Sequence, residues 1–154
     1  MRTINDWLNE YGESHKNETN KFIHWICVPA IFFSILGLLY AVKLPFYIAG
    51  YHLNVGIFIS FVMLLYYFSL SSSLSIGMFL YLLICMFVAN FIEISGIIPL
   101  WLFSVIIFVL AWIGQFYGHK IEGKKPSFLK DIQFLLIGPA WLMSFIYKKI
   151  GISL

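Results

Sequence analysis

The sequence predicts an all-α integral membrane protein, with about four transmembrane helices, an N-terminal amphipathic helix and a C-terminal re-entrant or interfacial broken helix. Two observations carry this. Of the 154 residues, 61% are apolar and only 11% are charged, where an ordinary soluble domain carries about 25% charged residues. Between Leu44 and Ile92 there is no Asp, Glu, Lys or Arg, and roughly 20 apolar residues suffice to cross the hydrocarbon core of a bilayer. With the spans removed, no basic surface is left, so nothing supports a nucleic-acid partner. Cys27 and Cys85 stand far apart in apolar runs and read as packing residues rather than a disulfide framework.

The chain reads as one membrane domain over 1–154. Its polar opening, 1–20, holds a short amphipathic helix from Thr3 to about Ser14, with Ile4, Trp7, Leu8 and Tyr11 on one face at the spacing of a helical stripe. Thr3 and Asp6 have the form of a capping pair. Lys16 to Asn20 interrupts the apolar pattern, and Asn17 or Thr19 offers a cap for the next helix. The first apolar run follows these polar residues, unlike a signal peptide.

Four spans occupy 22–116: Phe22 to Val42, Phe46 to about Leu70, Leu74 to Ile92, and Ile97 to Phe116. A tight turn at Lys43-Leu44-Pro45, a serine cluster from Ser69 to Ser75, and Glu93-Ile94-Ser95-Gly96 separate them. Pro29 marks a potential kink. A basic loop fills 117–131. The segment 132–147 is apolar but short for a span and carries Gly138-Pro139 in its middle, a helix breaker.

Charge orients this layout. With the N-terminus in the cytoplasm, Lys43 is the one exception among ten cationic residues that fall on the inner side, a strong positive-inside bias. His15, His24, His119 and Glu122 then share the cytoplasmic membrane face. His52 lies toward the opposite one, about 30 Å away.

Three histidines and a carboxylate at one face form a metal-ligand pattern, because neutral imidazole is the commonest metal ligand. His119 and Glu122, three apart, share one helix face. His15 and His24, nine apart, converge only if the chain bends between them, and Lys16 to Asn20 supplies that bend. Glu122 is the candidate catalytic carboxylate. Tyr11, Asn20 and Gln115 each precede one of these histidines by four residues, a position from which they can orient an imidazole. Lys124 and Lys125 anchor topology and offer charge to an anionic head group. Gly114 and Gly118 form a small-xxx-small pair for close helix packing. Taken singly, each histidine also reads as an interfacial hydrogen-bonding residue.

The succession His15, Asn20, His24, Pro29, then Gln115-Phe116, Gly118-His119, Glu122 and Pro126 resembles the small membrane 2-hydroxy fatty acid dioxygenases, over nearly the whole chain. The resemblance implies an Fe(II)-dependent enzyme of fatty acid α-oxidation, taking a 2-hydroxy fatty acid and O2 to an acid one carbon shorter. Membrane lipid would surround it, in a bacterial inner membrane or the endoplasmic reticulum. The residues by themselves leave two other readings open. One is a zinc-dependent membrane lipid hydrolase with Glu122 as general base. The other is a non-enzymatic membrane scaffold or lipid-binding protein.

Overall fold

Thr3 starts the first helix by a reciprocal cap: its Oγ1 accepts from the Asp6 N–H at 3.3 Å, and Asp6 Oδ2 accepts from the Thr3 N–H at 2.8 Å. Helix α1 spans Ile4–Gly12 and buries Ile4, Leu8 and Tyr11, one helical stripe. The computed structural model describes residues 2–48, 50–123 and 134–154. After α1 the chain reverses, and Asn17 caps α2, its side chain accepting from the Thr19 and Asn20 N–H groups at 2.9 and 3.2 Å. Helix α2, Glu18–Ala41, then runs 24 residues with Pro29 inside it, about 36 Å at 1.5 Å per residue.

The expected second span divides. Lys43–Ile48 and Tyr51–Asn54 are antiparallel strands β1 and β2, pairing Tyr47 with His52 and Ile48 with Tyr51. Helix α3, Val55–Leu70, keeps only 16 residues. The cause is local. Pro45 supplies no backbone donor, and Gly50 sits at φ 81, a conformation that suits glycine and ends helical geometry. Asn54 restarts the helix by accepting from the Ile57 N–H at 3.0 Å. The turn expected at Lys43-Leu44-Pro45 is therefore the start of a hairpin, not a direct link between spans.

Ser71 closes α3 and caps α4, Ser72–Ser95, by accepting from the Leu74 N–H at 3.1 Å. Gly96, at φ 64, terminates α4. Helix α5, Leu100–Glu122, follows Pro99 and ends at Gly123, with φ 74. It passes the expected boundary at Phe116, so His119 and Glu122 stand on its last turns. The last helix, α6, is Ile137–Ile150. Gly138 and Pro139 were expected to break this segment in its middle. They lie instead in the first turn, where proline's missing N–H costs no intrahelical bond.

Among the described residues, α2, α4 and α5 are long and apolar enough to cross a membrane, and α3 is a shorter apolar helix beside them. The chain is thus an all-α membrane protein with a minor strand pair. Close packing of α2 on α5 depends on glycine. A Cβ at Gly118 would stand 2.5 Å from Asn20 Oδ1, one at Gly114 2.7 Å from Cys27 Sγ, and one at Gly37 2.3 Å from Ser104 Oγ. Small residues let backbones approach where lipid removes the hydrophobic drive for helices to associate. Outward-facing side chains such as Phe58, Phe61, Phe87, Phe91, Leu110 and Ile113 are exposed, as a lipid-facing belt requires.

The bundle has two distinct ends. At one lie the hairpin and the Gly96 turn, tied by Lys43 to Glu93 at 2.7 Å and Tyr40 to Asn90 at 3.1 Å. At the other lie α1, the Ser71 turn, the end of α5, and α6. The Tyr147 hydroxyl donates to the Ser73 carbonyl at 2.7 Å and accepts from the Gly77 N–H at 2.9 Å, which docks α6 at this second end. Cysteines introduced at Asn9, Ser72 and Ser153 should therefore react with an impermeant thiol reagent from one side of the membrane, and one at Tyr47 from the other. Labelling of Ser153 from the Tyr47 side would contradict this arrangement.

Candidate metal centre

Each of the three histidines reaches the site from a different segment. His15 belongs to the reversal after α1, His24 to the second turn of α2, and His119 to the end of α5. All three are buried. Their candidate ligand nitrogens all lie within 4.8 Å of one another, and together they could hold a metal ion. Ring centroids are 4.2 Å apart for His15 and His24, 5.0 Å for His24 and His119, and 5.8 Å for His15 and His119.

Backbone carbonyls orient two of the rings. His15 Nδ1 lies 2.7 Å from the Tyr11 carbonyl oxygen, and His24 Nδ1 lies 2.9 Å from that of Asn20. A carbonyl only accepts, so each Nδ1 carries the proton and donates. Each neutral ring is left with its lone pair on Nε2, the form that binds metal. His24 is 0% exposed, and its Nε2 has no hydrogen-bond partner among the described residues. A buried acceptor of this kind is costly to leave unsatisfied. A metal ion bound by imidazoles fits both the donor set and this atom.

Tyr11 and Asn20 precede their histidines by four residues, and in both cases the main chain makes the bond to the imidazole. The Tyr11 ring stacks on His15 at 4.3 Å and 13°, and the Asn20 side chain serves a different purpose. Gln115 is buried one turn before His119. Trp141 of α6 lies 5.2 Å from His15 and 5.3 Å from Tyr11. The sequence pattern did not single it out, because no spacing rule relates residue 141 to residue 15.

Glu122 does not belong to the three-imidazole group. Its Oε1 accepts from the Lys16 N–H at 2.9 Å, and its Oε2 accepts from the Asn17 N–H at 2.9 Å and Asn20 Nδ2 at 3.0 Å. Asn20 Nδ2 also donates to the Ser14 carbonyl at 3.3 Å. The carboxylate thus clasps the reversal that carries His15 to the start of α2, where the helix dipole favours negative charge. His52 is at the hairpin end, stacked on Tyr47 at 4.4 Å and 3°, and takes no part. Lys124 and Lys125 lie outside the described residues.

An open groove between α1 and α6 reaches His15 from the surface. Leu8, Gly12, Trp141 and Phe145 line it, with Lys16 and Lys21 at its edge.

The family model described as 2-hydroxy-palmitic acid dioxygenase Mpo1-like matches residues 1–150. The chain belongs to the Mpo1-like family. It is 31% identical over 146 residues to the 2-hydroxy-palmitic acid dioxygenase MPO1 of Saccharomyces cerevisiae, covering 94% of this chain and 79% of that protein. No solved structure matches the chain. The Mpo1-like match takes in both segments that build the cluster, residues 11–24 and 115–122.

The geometry separates the residues by effect. Replacing His15, His24 or His119 by Ala should each remove most of the metal that co-purifies, whereas His52→Ala should retain the parent's content. Glu122→Gln places an amide donor against the backbone N–H groups of Lys16 or Asn17. It should weaken metal binding about 10–100-fold, the range for residues that support a ligand from behind, without the full loss of a histidine variant. Metal analysis of the folded variants measures this. Loss of metal from His52→Ala, or none from Glu122→Gln, would contradict these assignments.

Proposed function

We propose that this protein is an Fe(II)-dependent dioxygenase of fatty acid α-oxidation. It would convert a 2-hydroxy long-chain fatty acid and O2 to an acid one carbon shorter. The single observation that carries the reading is the convergence of three buried imidazoles at one end of a lipid-facing bundle. Membership of the Mpo1-like family and the name of the yeast relative supply the substrate class. The balance RCH(OH)COOH + O2 → RCOOH + CO2 + H2O transfers four electrons from the hydroxy acid to dioxygen.

His15, His24 and His119 would hold the iron. A non-haem Fe(II) with open coordination positions supplies the redox reactivity toward O2 that side chains lack, and it suits a ligand carrying adjacent hydroxyl and carboxylate oxygens. The chain's own residues do the positioning. The Tyr11 and Asn20 carbonyls hold the imidazole protons on Nδ1, and the Tyr11 and Trp141 rings shield His15 from water. Glu122 acts through the Lys16–Asn20 reversal, not on substrate. The groove between α1 and α6 offers apolar walls to an acyl chain and, beside Glu13, the cationic group of Lys16 to a carboxylate, with Lys21 ion-paired to Glu18. Lys124 and Lys125, next in the chain after Gly123, would add to that attraction. The charge bias supports a site on the cytoplasmic face, in a bacterial inner membrane or the endoplasmic reticulum.

Protein purified without oxygen should contain iron. On addition of 2-hydroxypalmitic acid in air, it should consume one O2 per shortened acid formed. Removal of iron with a chelator should abolish consumption, and restored Fe(II) should recover it. Zinc in place of iron, or lipid hydrolysis without O2 uptake, would overturn the proposal in favour of a hydrolase.

A further inference from the structure

One polar side chain near the histidines is used neither by the clasp nor by the carbonyl bonds to the imidazoles. Gln115 is 6% exposed, and its Oε1 has no hydrogen-bond partner among the described residues. It lines a cavity of about 20 Å³ whose other walls are Tyr11, Val28, Ile31, Trp112, Phe134, Leu135 and Gly138. Leaving an acceptor unsatisfied in such a lining is costly. The cost is removed when the ligand brings the matching group.

The cavity's position follows from helix periodicity. Val28 and Ile31 follow His24 on α2 by four and seven residues, and Gln115 and Trp112 precede His119 on α5 by four and seven. These offsets put them on the same helix faces as the histidines. Tyr11 stacks on His15. The cavity is therefore about one helical turn deeper in the bundle than the imidazole cluster, roughly 5.4 Å along the axis. Gly138 keeps it open, since a Cβ there would stand 2.9 Å from Val28 Cγ1 and 3.1 Å from the Tyr11 hydroxyl. The volume admits one water-sized group, so neither an acyl chain nor carbon 2 itself fits, and the group it suits is a hydroxyl projecting inward from a substrate held at the imidazoles.

We propose that Gln115 is the specificity-determining residue for the 2-hydroxyl of the substrate, its carboxamide hydrogen-bonding that hydroxyl in this cavity. The inference rests on the dioxygenase reading above and deepens it. A carboxamide has an acceptor and a donor, and a hydroxyl satisfies either. A fatty acid with hydrogen at carbon 2 offers no such group and leaves Gln115 Oε1 desolvated and without a partner among the described residues. Sites built to bond a hydroxyl reject the analogue lacking it for this reason.

The test is equilibrium binding rather than turnover. Iron-loaded protein in detergent, kept free of O2, is titrated with 2-hydroxypalmitic acid and with palmitic acid, following tryptophan fluorescence. The parent should bind the hydroxy acid about 10–100-fold more tightly, the range for one buried hydrogen bond. Gln115→Leu, similar in volume but without polar atoms, should keep its iron and lose the preference, with palmitic acid binding at least as well as to the parent. Gln115→Asn, which retains the carboxamide but withdraws it by one methylene, serves if the leucine variant does not fold, and it should also lose most of the preference. Preference undiminished in the folded variants overturns the assignment while leaving the dioxygenase reading intact. Iron lost from Gln115→Leu also overturns it, because the residue would then act on the imidazoles. A parent that does not distinguish the two acids likewise overturns the assignment, while iron content and O2 consumption test the dioxygenase reading separately.

Discussion

A single carboxylate holds the two halves of the candidate site together. Glu122 stands in the last turn of α5, where its own helix dipole disfavours negative charge. It is stabilised there by the start of another helix: two backbone N–H groups and the Asn20 amide converge on its oxygens at 2.9–3.0 Å. Hydrogen bonds to a charged acceptor are worth about 1.5–3 kcal/mol each when shielded, and less here, where the carboxylate is only half-buried. The consequence is geometric. The clasp fixes the reversal after α1, and with it the direction from which His15 meets His24 and His119.

That arrangement needs α2 and α5 unusually close, which glycine permits. Gly118 leaves room for Asn20, the residue that holds Glu122 with its side chain and His24 with its carbonyl. Packing and site are thus one structure at this point. The opposite end of the bundle carries the hairpin, the Gly96 turn, the Lys43–Glu93 ion pair, the Tyr40–Asn90 bond and the stacked Tyr47 and His52. A molecule built this way offers hydrocarbon contact along its length and polar chemistry at one end. That suits a substrate with an acyl chain and an ionised head group, since both halves meet their preferred surroundings without leaving the membrane surface.

Composition and spacing by themselves determined the class of the protein and the caps that start its first two helices. A charge-free run from Leu44 to Ile92 has few soluble solutions. Thr3 and Asn17 cap helices because their side chains accept from N–H groups within two or three residues, a relation written in local sequence. The convergence of the three histidines was legible too, through their placement beside cationic clusters at one end of successive apolar runs. Proline and glycine were harder to place. Pro45 and Gly50 turned about the first third of an expected span into a hairpin, while Gly138-Pro139 opened a helix rather than breaking one, and both outcomes depend on position within an element rather than on residue type.

Tertiary structure alone decided which groups the site residues meet. Glu122 could be read as ligand, base or structural group, and only the approach of α2's first turn, more than a hundred residues away in the chain, gives it three donors. Trp141 against His15 and the walls around Gln115 are likewise contacts between segments with no periodic relation in sequence. Helical periodicity orders neighbours along one helix, three or four residues apart. Which faces of different helices meet is set by packing, here by where glycine lets two backbones touch.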